Sequence, residues 1–318
     1  MEEVKVSVCI PVFNMEKYIE DCIISLVNQT LQEIELIFVD DGSSDNSLNI
    51  LNKYKQIYPN KIKIISQSNT GLGGARNRAI LESKGEYIGF VDADDFVEIT
   101  MYERLYSLAK RNNSDIAICN YELYPYNLKT KKKKWFKEYK GKIDSDFLDK
   151  NTQPWNKIVS KDLLERVNFK FFKKNGDGVF IYLMLCAENI VTTNEKLYHY
   201  RIGHASMSTD FKLNNFINSV NCCEEQIKLL AKTKYKQELE EYFNFRMIYN
   251  LLQTIFVAAQ KENRKYFEEY SKRLKCMNYK KNKYVNKLKK EFGIVKYVGM
   301  MYILPQNYNL SRILCKII

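Results

Sequence analysis

Over residues 5–123 apolar runs of strand length alternate with amphipathic stretches of helix length, joined by short polar turns. The first run, "KVSVCIPVF" (5–13), is rich in β-branched residues and apolar at nearly every position, as expected of a strand buried on both faces. A helix is predicted over 16–29, because Ile19, Cys22, Ile23 and Leu26 recur at helical spacing. Then come a strand "IELIFVD" (34–40), a helix over 47–58 and a strand "KIKIIS" (61–66). A helix entered from "NTGLGGARN" and running to 83, a strand "EYIGFVD" (86–92), a helix over 100–112 and a strand "DIAICNYEL" (115–123) complete the series. Such alternation predicts an α/β fold with a mostly parallel sheet and helices on both faces.

In open sheets of that kind ligands bind beyond the carboxyl ends of the strands. Polar residues cluster there: 11–14 after the first strand, "DDGSSD" (40–45) after the second, "NTGLGG" (69–74) after the third, and "DAD" (92–94) after the fourth. In "GFVDADDFVE" (89–98), Asp92 and Asp94 stand two apart along what reads as extended chain, which places them on one side and Asp95 on the other. Two adjacent carboxylates repel unless a cation or proton intervenes, and the pair suits a hard divalent ion such as Mg²⁺ or Mn²⁺. The competing reading is a cap on the following helix by Asp94 or Asp95. In "VDDGSSDNS" (39–47) Gly42 permits a tight turn and Ser44 or Asp45 can cap the next helix. Capping leaves Asp40 and Asp41 unexplained; either can accept a hydrogen bond from a nucleobase N–H or a ribose hydroxyl. "NTGLGGARNRA" (69–79) matches neither the dinucleotide fingerprint nor the P-loop, but its glycines, Gly73 among them, and Arg76 suit a phosphate at a helix start. Arg76 equally suits a structural ion pair.

After residue 125 the pattern loosens. Residues 127–142 read as a basic hairpin with a turn at Gly141, and 153–208 mix a helix over 180–188 with a strand "EKLYHYR" (195–201). From 212 the periodicity is helical, giving an expected division into 1–210, with a donor half (1–125) and an acceptor half (126–210), and a helical region 211–318. The net charge is +12, and residues 261–291 carry twelve Lys/Arg against four Glu. That block favours an anionic partner, acidic lipid or nucleic acid, unless it is only a solvated helical face. "KKEFGIVKYVGMMYILPQ" (289–306) mixes lysines with an apolar stripe, as an interfacial helix does. Eight cysteines without CxxC spacing and only two histidines argue for reduced, packed thiols and against a zinc or disulfide framework. The opening "MEEVKV" does not read as a signal peptide and no apolar run has the ~20 residues of a membrane span, so the expected location is cytoplasmic, or peripheral on the inner face of the membrane.

Taken in order, "VSVCIPVFNMEKYIEDCIISLVNQTLQEIELIFVDDGSSDNS", "NTGLGGARNRAI" and "GEYIGFVDADD" resemble the inverting, nucleotide-sugar-dependent bacterial glycosyltransferases of the GT-A fold, which build capsules, lipopolysaccharides and other surface glycans. The resemblance implies roles by position. Pro11, Phe13 and Asn14 would form a donor loop around the base, and Asp41 beside Asp40 would recognise uracil or a similar base. Asp92, Ala93 and Asp94 stand at the DxD motif, so Asp94 would hold Mn²⁺ or Mg²⁺ against the donor diphosphate and Asp92 would meet ribose or the metal. Asp177, in "FFKKNGDGVF", would be the base that deprotonates the acceptor; Gly176 stands where the family often has a Glu. His204 would approach the metal or diphosphate, Arg201 would neutralise phosphate charge, and Trp155 would line the acceptor side, with a core tryptophan as the equal alternative. The implied partners are a nucleotide sugar, a glycan or lipid-linked acceptor and an anionic membrane surface, with oligomerisation through the helical C-terminus possible and no nucleic acid. A sugar nucleotidyltransferase is the nearest alternative, but "PVFNMEKY" lacks the Gly-rich basic loop it needs. A nucleic-acid-binding protein using 261–291 is the other, and no nucleic-acid motif accompanies the basic block.

Overall fold

The computed structural model describes residues 3–125, 136–172, 176–203, 212–288 and 297–317. Two compact units divide at residues 204 and 205.

The first unit is built on a mixed sheet of eight strands in the order β3-β2-β1-β4-β7-β6-β8-β5. Strands β1 (Val6–Val12), β2 (Ile34–Asp40), β3 (Ile62–Ser66) and β4 (Tyr87–Phe90) are parallel, with β1 central, as the alternation predicts. Every residue of β1 is buried, because helices cover both faces. Val8, Ile10, Leu36 and Phe38 pack with Ile19, Ile23 and Leu26 of α1 (Ile19–Val27) and Met101, Tyr102 and Leu105 of α4 (Met101–Arg111). Helix α2 (Ser47–Ile57) contributes Leu51 to this core, and α3 (Leu72–Leu81) packs against β1 and β2.

The second half of the sheet departs from the expectation of a mostly parallel arrangement. Strand β7 (Lys157–Ser160) inserts antiparallel between β4 and β6 (Ile116–Tyr124), while β8 (Ile190–Arg201) runs parallel to β6. A two-residue strand β5 (Phe96–Val97) pairs antiparallel with β8 at Tyr198 and His199. Helices α5 (Ser145–Asn151), α6 (Lys161–Arg166) and α7 (Phe180–Cys186) complete the unit. The expected basic hairpin falls mostly on 126–135, outside the described residues; Gly141 does take a left-handed φ of 77°.

The second unit is helical: α8 (Leu213–Leu230), α9 (Lys236–Gln260), α10 (Arg264–Lys275) and a C-terminal helix Tyr308–Ile317. Helix α9 is apolar on most of its circumference and packs with the other three, which makes it the centre of this unit. The predicted interfacial helix is only partly visible: 289–296 lie outside the described residues, and a single wide turn spans Gly299–Ile303. No described helix is long and apolar enough to cross a membrane.

Candidate active site

Strand β4 delivers the acidic residues to the carboxyl edge of the sheet. Past Phe90 the Val91 N–H still bonds the Cys9 carbonyl (3.2 Å), and then the chain turns, Asp95 N–H closing on the Asp92 carbonyl at 3.0 Å. Residues 92–95 are thus a turn, and the expectation that extended alternation sorts Asp92 and Asp94 from Asp95 is corrected. Asp95 does separate from the other two, but inward. It is fully buried, its Oδ2 accepting from the Tyr198 hydroxyl (2.6 Å) and its Oδ1 from the Arg201 N–H (2.7 Å). It caps no helix, since α4 begins at Met101 with Thr100 at its N-cap. The Tyr198 hydroxyl also accepts from the Asp92 N–H at 3.3 Å, so one phenol holds both ends of the turn.

Arg201 holds the turn from the same strand. Its Nε donates to the Asp94 carbonyl (2.8 Å), its Nη2 to Asp21 Oδ2 (2.8 Å), and its guanidinium lies over the rings of Tyr18 and Tyr124. Through those bonds Arg201, its side chain largely buried, braces the acidic turn.

The electrostatics of the turn are strongly negative. Burial raises the Asp95 carboxyl well above the usual carboxylate range, and the charges of Asp94 and Asp92 push it further, against the donors Tyr198 and Arg201 N–H. The Cys22 thiol, whose Sγ lies 4.0 Å from the Asp92 carbonyl, is likewise raised, first by burial and then by Asp95, Asp94, Asp92 and Asp21. Arg76 offsets part of this field. It rises from α3, fully buried, over the Phe171 ring, and its Nη2 donates to Asp92 Oδ1 at 2.7 Å. Its structural ion-pair reading is therefore present, and it orients Asp92 as well.

Asp92 and Asp94 together offer hard oxygen donors in a partly exposed turn with a cation-favouring field, and this donor set fits Mg²⁺ or Mn²⁺. No group of three ligating side chains occurs among the described residues. Two carboxylates leave the remaining positions for water and phosphate oxygens, which is how Mg²⁺ is commonly held.

The neighbouring loops are tied to one another. Asp41 is buried and spends both oxygens on 67–71: Oδ1 accepts from Gln67 Nε2 (2.7 Å), Thr70 N–H (2.9 Å) and Thr70 Oγ1 (3.0 Å), and Oδ2 from Gly71 N–H (2.8 Å). Asp40 Oδ1 accepts from Ser43 N–H at 3.3 Å. Asn14, at a left-handed φ of 54°, joins the first loop to the second: its Oδ1 accepts from Ser44 N–H (2.8 Å) and its N–H donates to Ser43 Oγ (3.0 Å). Pro11 is buried in β1 and Phe13 is exposed beside Asn14. Gly73 and Ala93 are buried, and Gly71 takes the left-handed φ (83°) that starts α3. Asp45, expected as a cap, accepts from Ser47 N–H and Glu16 N–H (both 2.9 Å) while Asn46 occupies the N-cap position.

Toward the acceptor half the correspondence is weaker. Trp155 is buried, stacked on Tyr198 at 4.4 Å between ring centres and edge-on to Tyr121, so of its two expected readings the core one is present. Asp177 lies on a short turn, Gly176–Val179, that leads into α7; its side chain, like His204, lies outside the described residues. Sequence reasoning missed Tyr198 and Asp21. The signal was slight: Tyr198 sits in an aromatic run, and only the pairing of β8 with a two-residue strand brings its hydroxyl to the acidic turn.

The model of the family described as "Glycosyl transferase family 2" matches residues 7–178. A cholesterol galactosyltransferase from Borreliella burgdorferi is 34% identical over 267 residues, covering 77% of this chain and 74% of that protein. Glycosyltransferase GlyA of Streptococcus pneumoniae serotype 4 is 32% identical over 254 residues, 74% of this chain but 36% of its own length, so the chain spans about a third of that relative. Among solved structures, residues 1–349 of S. aureus TarS in complex with UDP-GlcNAc superpose with a TM-score of 0.69 at 19% identity, covering 97% of this chain and 92% of that one. The chain belongs to glycosyl transferase family 2 and is a glycosyltransferase with the GT-A fold and a helical C-terminal region.

Proposed function

We propose that the protein transfers a sugar, with inversion, from a UDP-sugar to a hydroxyl of a glycan or lipid-linked acceptor in surface polysaccharide synthesis, using Mn²⁺ or Mg²⁺. The observation that carries this reading is the acidic turn Asp92–Asp95, held at the carboxyl edge of the parallel strands by Tyr198, Arg201 and Arg76. When bound there, the ion supplies positive charge to the departing nucleoside diphosphate. Asp94 and Asp92 would hold it, Asp92 kept in orientation by Arg76. Asp41 acts on the base side by fixing the 67–71 loop, whose glycines and helix start offer N–H groups to phosphate. Asp177, on the turn before α7, would take the acceptor's proton as its oxygen attacks the anomeric carbon in line. The UDP-GlcNAc bound by TarS supports a uridine donor. The excess of basic residues in 261–291 supports operation at the anionic inner face of a membrane.

A panel of UDP-sugars with Mn²⁺, read as UDP release in the presence of candidate acceptors, tests the reading. One donor should support turnover. Asp94→Ala should reduce it by more than the roughly 10- to 100-fold that follows from losing a supporting partner of a metal ligand. Donor turnover that is unaffected by the substitution and by EDTA would exclude the metal-dependent mechanism.

A further inference from the structure

A groove of about 520 Å³ opens in the helical unit between α10 and the segment 305–309. Its wall carries Lys272, Lys275 and Arg264 together with the polar side chains of Ser271, Asn307 and Asn309. Arg264 is neutralised by Glu268 at 2.7 Å, whereas Lys272 and Lys275, both exposed, have no carboxylate partner among the described residues. Ser271 is 5% exposed, and its hydroxyl has no hydrogen-bond partner among the described residues. A buried hydroxyl left in that state is costly unless something completes it. Two ammonium groups without a carboxylate partner among the described residues, and a donor hydroxyl, suit a phosphate.

Exposed apolar side chains flank the 305–309 wall in sequence. The segment 305–309 joins two elements that carry them: Tyr302 (49% exposed) and Ile303 (37%) before it, and Leu310 (54%) and Ile313 (58%) on the C-terminal helix after it. Asn309 of the wall and Ile313 are four apart on that helix and therefore neighbours on its surface. Exposed apolar side chains flanking a wall whose lysines have no carboxylate partner among the described residues match the layered chemistry of a bilayer surface, with phosphates outside and acyl chains beneath. A soluble phosphate ester would leave the exposed apolar side chains unexplained.

We infer that this groove binds the headgroup phosphate of an anionic phospholipid while Tyr302, Ile303, Leu310 and Ile313 enter the headgroup layer. The inference rests on the membrane-surface reading above and narrows it to one site. Flotation of the full chain with phosphatidylglycerol vesicles, against phosphatidylcholine vesicles, tests it. The wild type should float with the former only. Lys272→Ala with Lys275→Ala should lower the partition by roughly 30-fold, from the usual contribution of each lysine near an anionic surface. An equal loss of charge at Lys232 and Lys236 of the same unit should lower it by less than about 3-fold. Leu310→Ser with Ile313→Ser should lower it by more than about 10-fold. Circular dichroism should be unchanged in all variants, as should UDP binding. Failure of the wild type to float overturns the membrane reading and the groove with it. Flotation that falls equally for both lysine pairs overturns the groove alone, leaving diffuse attraction. Saturable binding of glycerol phosphate by a chain that ignores vesicles also overturns it.

Discussion

Tyr198 makes two hydrogen bonds to the acidic turn. Its hydroxyl donates to Asp95 and accepts from the Asp92 N–H, so Tyr198→Phe leaves a buried carboxyl one donor short and an N–H without its acceptor. The expected cost is about 1–3 kcal/mol in denaturant unfolding. A rise in the Mn²⁺ concentration needed for half-maximal UDP binding should accompany it. Tyr106→Phe removes an exposed hydroxyl that donates to Glu86, and should change the Mn²⁺ requirement not at all. Tyr198 and Asp21 escaped sequence reading, and Asp95 was read as a cap, for one physical reason. Burial and pairing across 103 or more residues decide what a carboxylate does, and neither has a local signature. Asp92 and Asp94 were legible as an acidic pair at a strand end because the strand before them is a plain apolar run.

The elements nearest the site are joined by short, specific contacts. Asp45 ties α2 to the first strand-end loop, and its carboxyl lies below the usual range: burial works against this, but bonds from Ser47 and the Glu16 N–H outweigh it. A depressed carboxylate stabilises the fold above its unfolded value of about 3.8 and loses that contribution as pH falls through its lower folded value. Asp45→Ala should therefore cost about 2 kcal/mol at neutral pH, and the difference from wild type should narrow steadily in urea titrations as pH is taken below 3.8. Gly89 of β4 faces α4, where a Cβ would lie 2.6 Å from Cε1 of the fully buried Tyr102. Gly89→Ala should cost about 1–3 kcal/mol in urea melts, through overpacking directly beneath the acidic turn. The four parallel strands and their helices were legible because each strand is a mostly apolar run set between turn residues. Strand β7, four residues long, and β5, two long, were not, because partners rather than composition make them strands.

Taken together, the first unit places four strand-end loops at one edge of its sheet and braces the acidic one from β8, α3 and α1. The helical unit carries a concentrated positive charge and exposed apolar side chains, so the surface attachment proposed above would fall on a different part of the chain from catalysis. Composition foresaw the charge but not the groove, which depends on how α10 meets residues 305–309. The central claim is that Asp92 and Asp94 hold a divalent ion against a donor diphosphate. Calorimetric titration of UDP into the full chain, with Mn²⁺ and then with EDTA, tests it most directly. The account predicts binding that requires the ion and is weakened at least about 100-fold in Asp94→Ala. Equally tight UDP binding by wild type and variant in EDTA would contradict it.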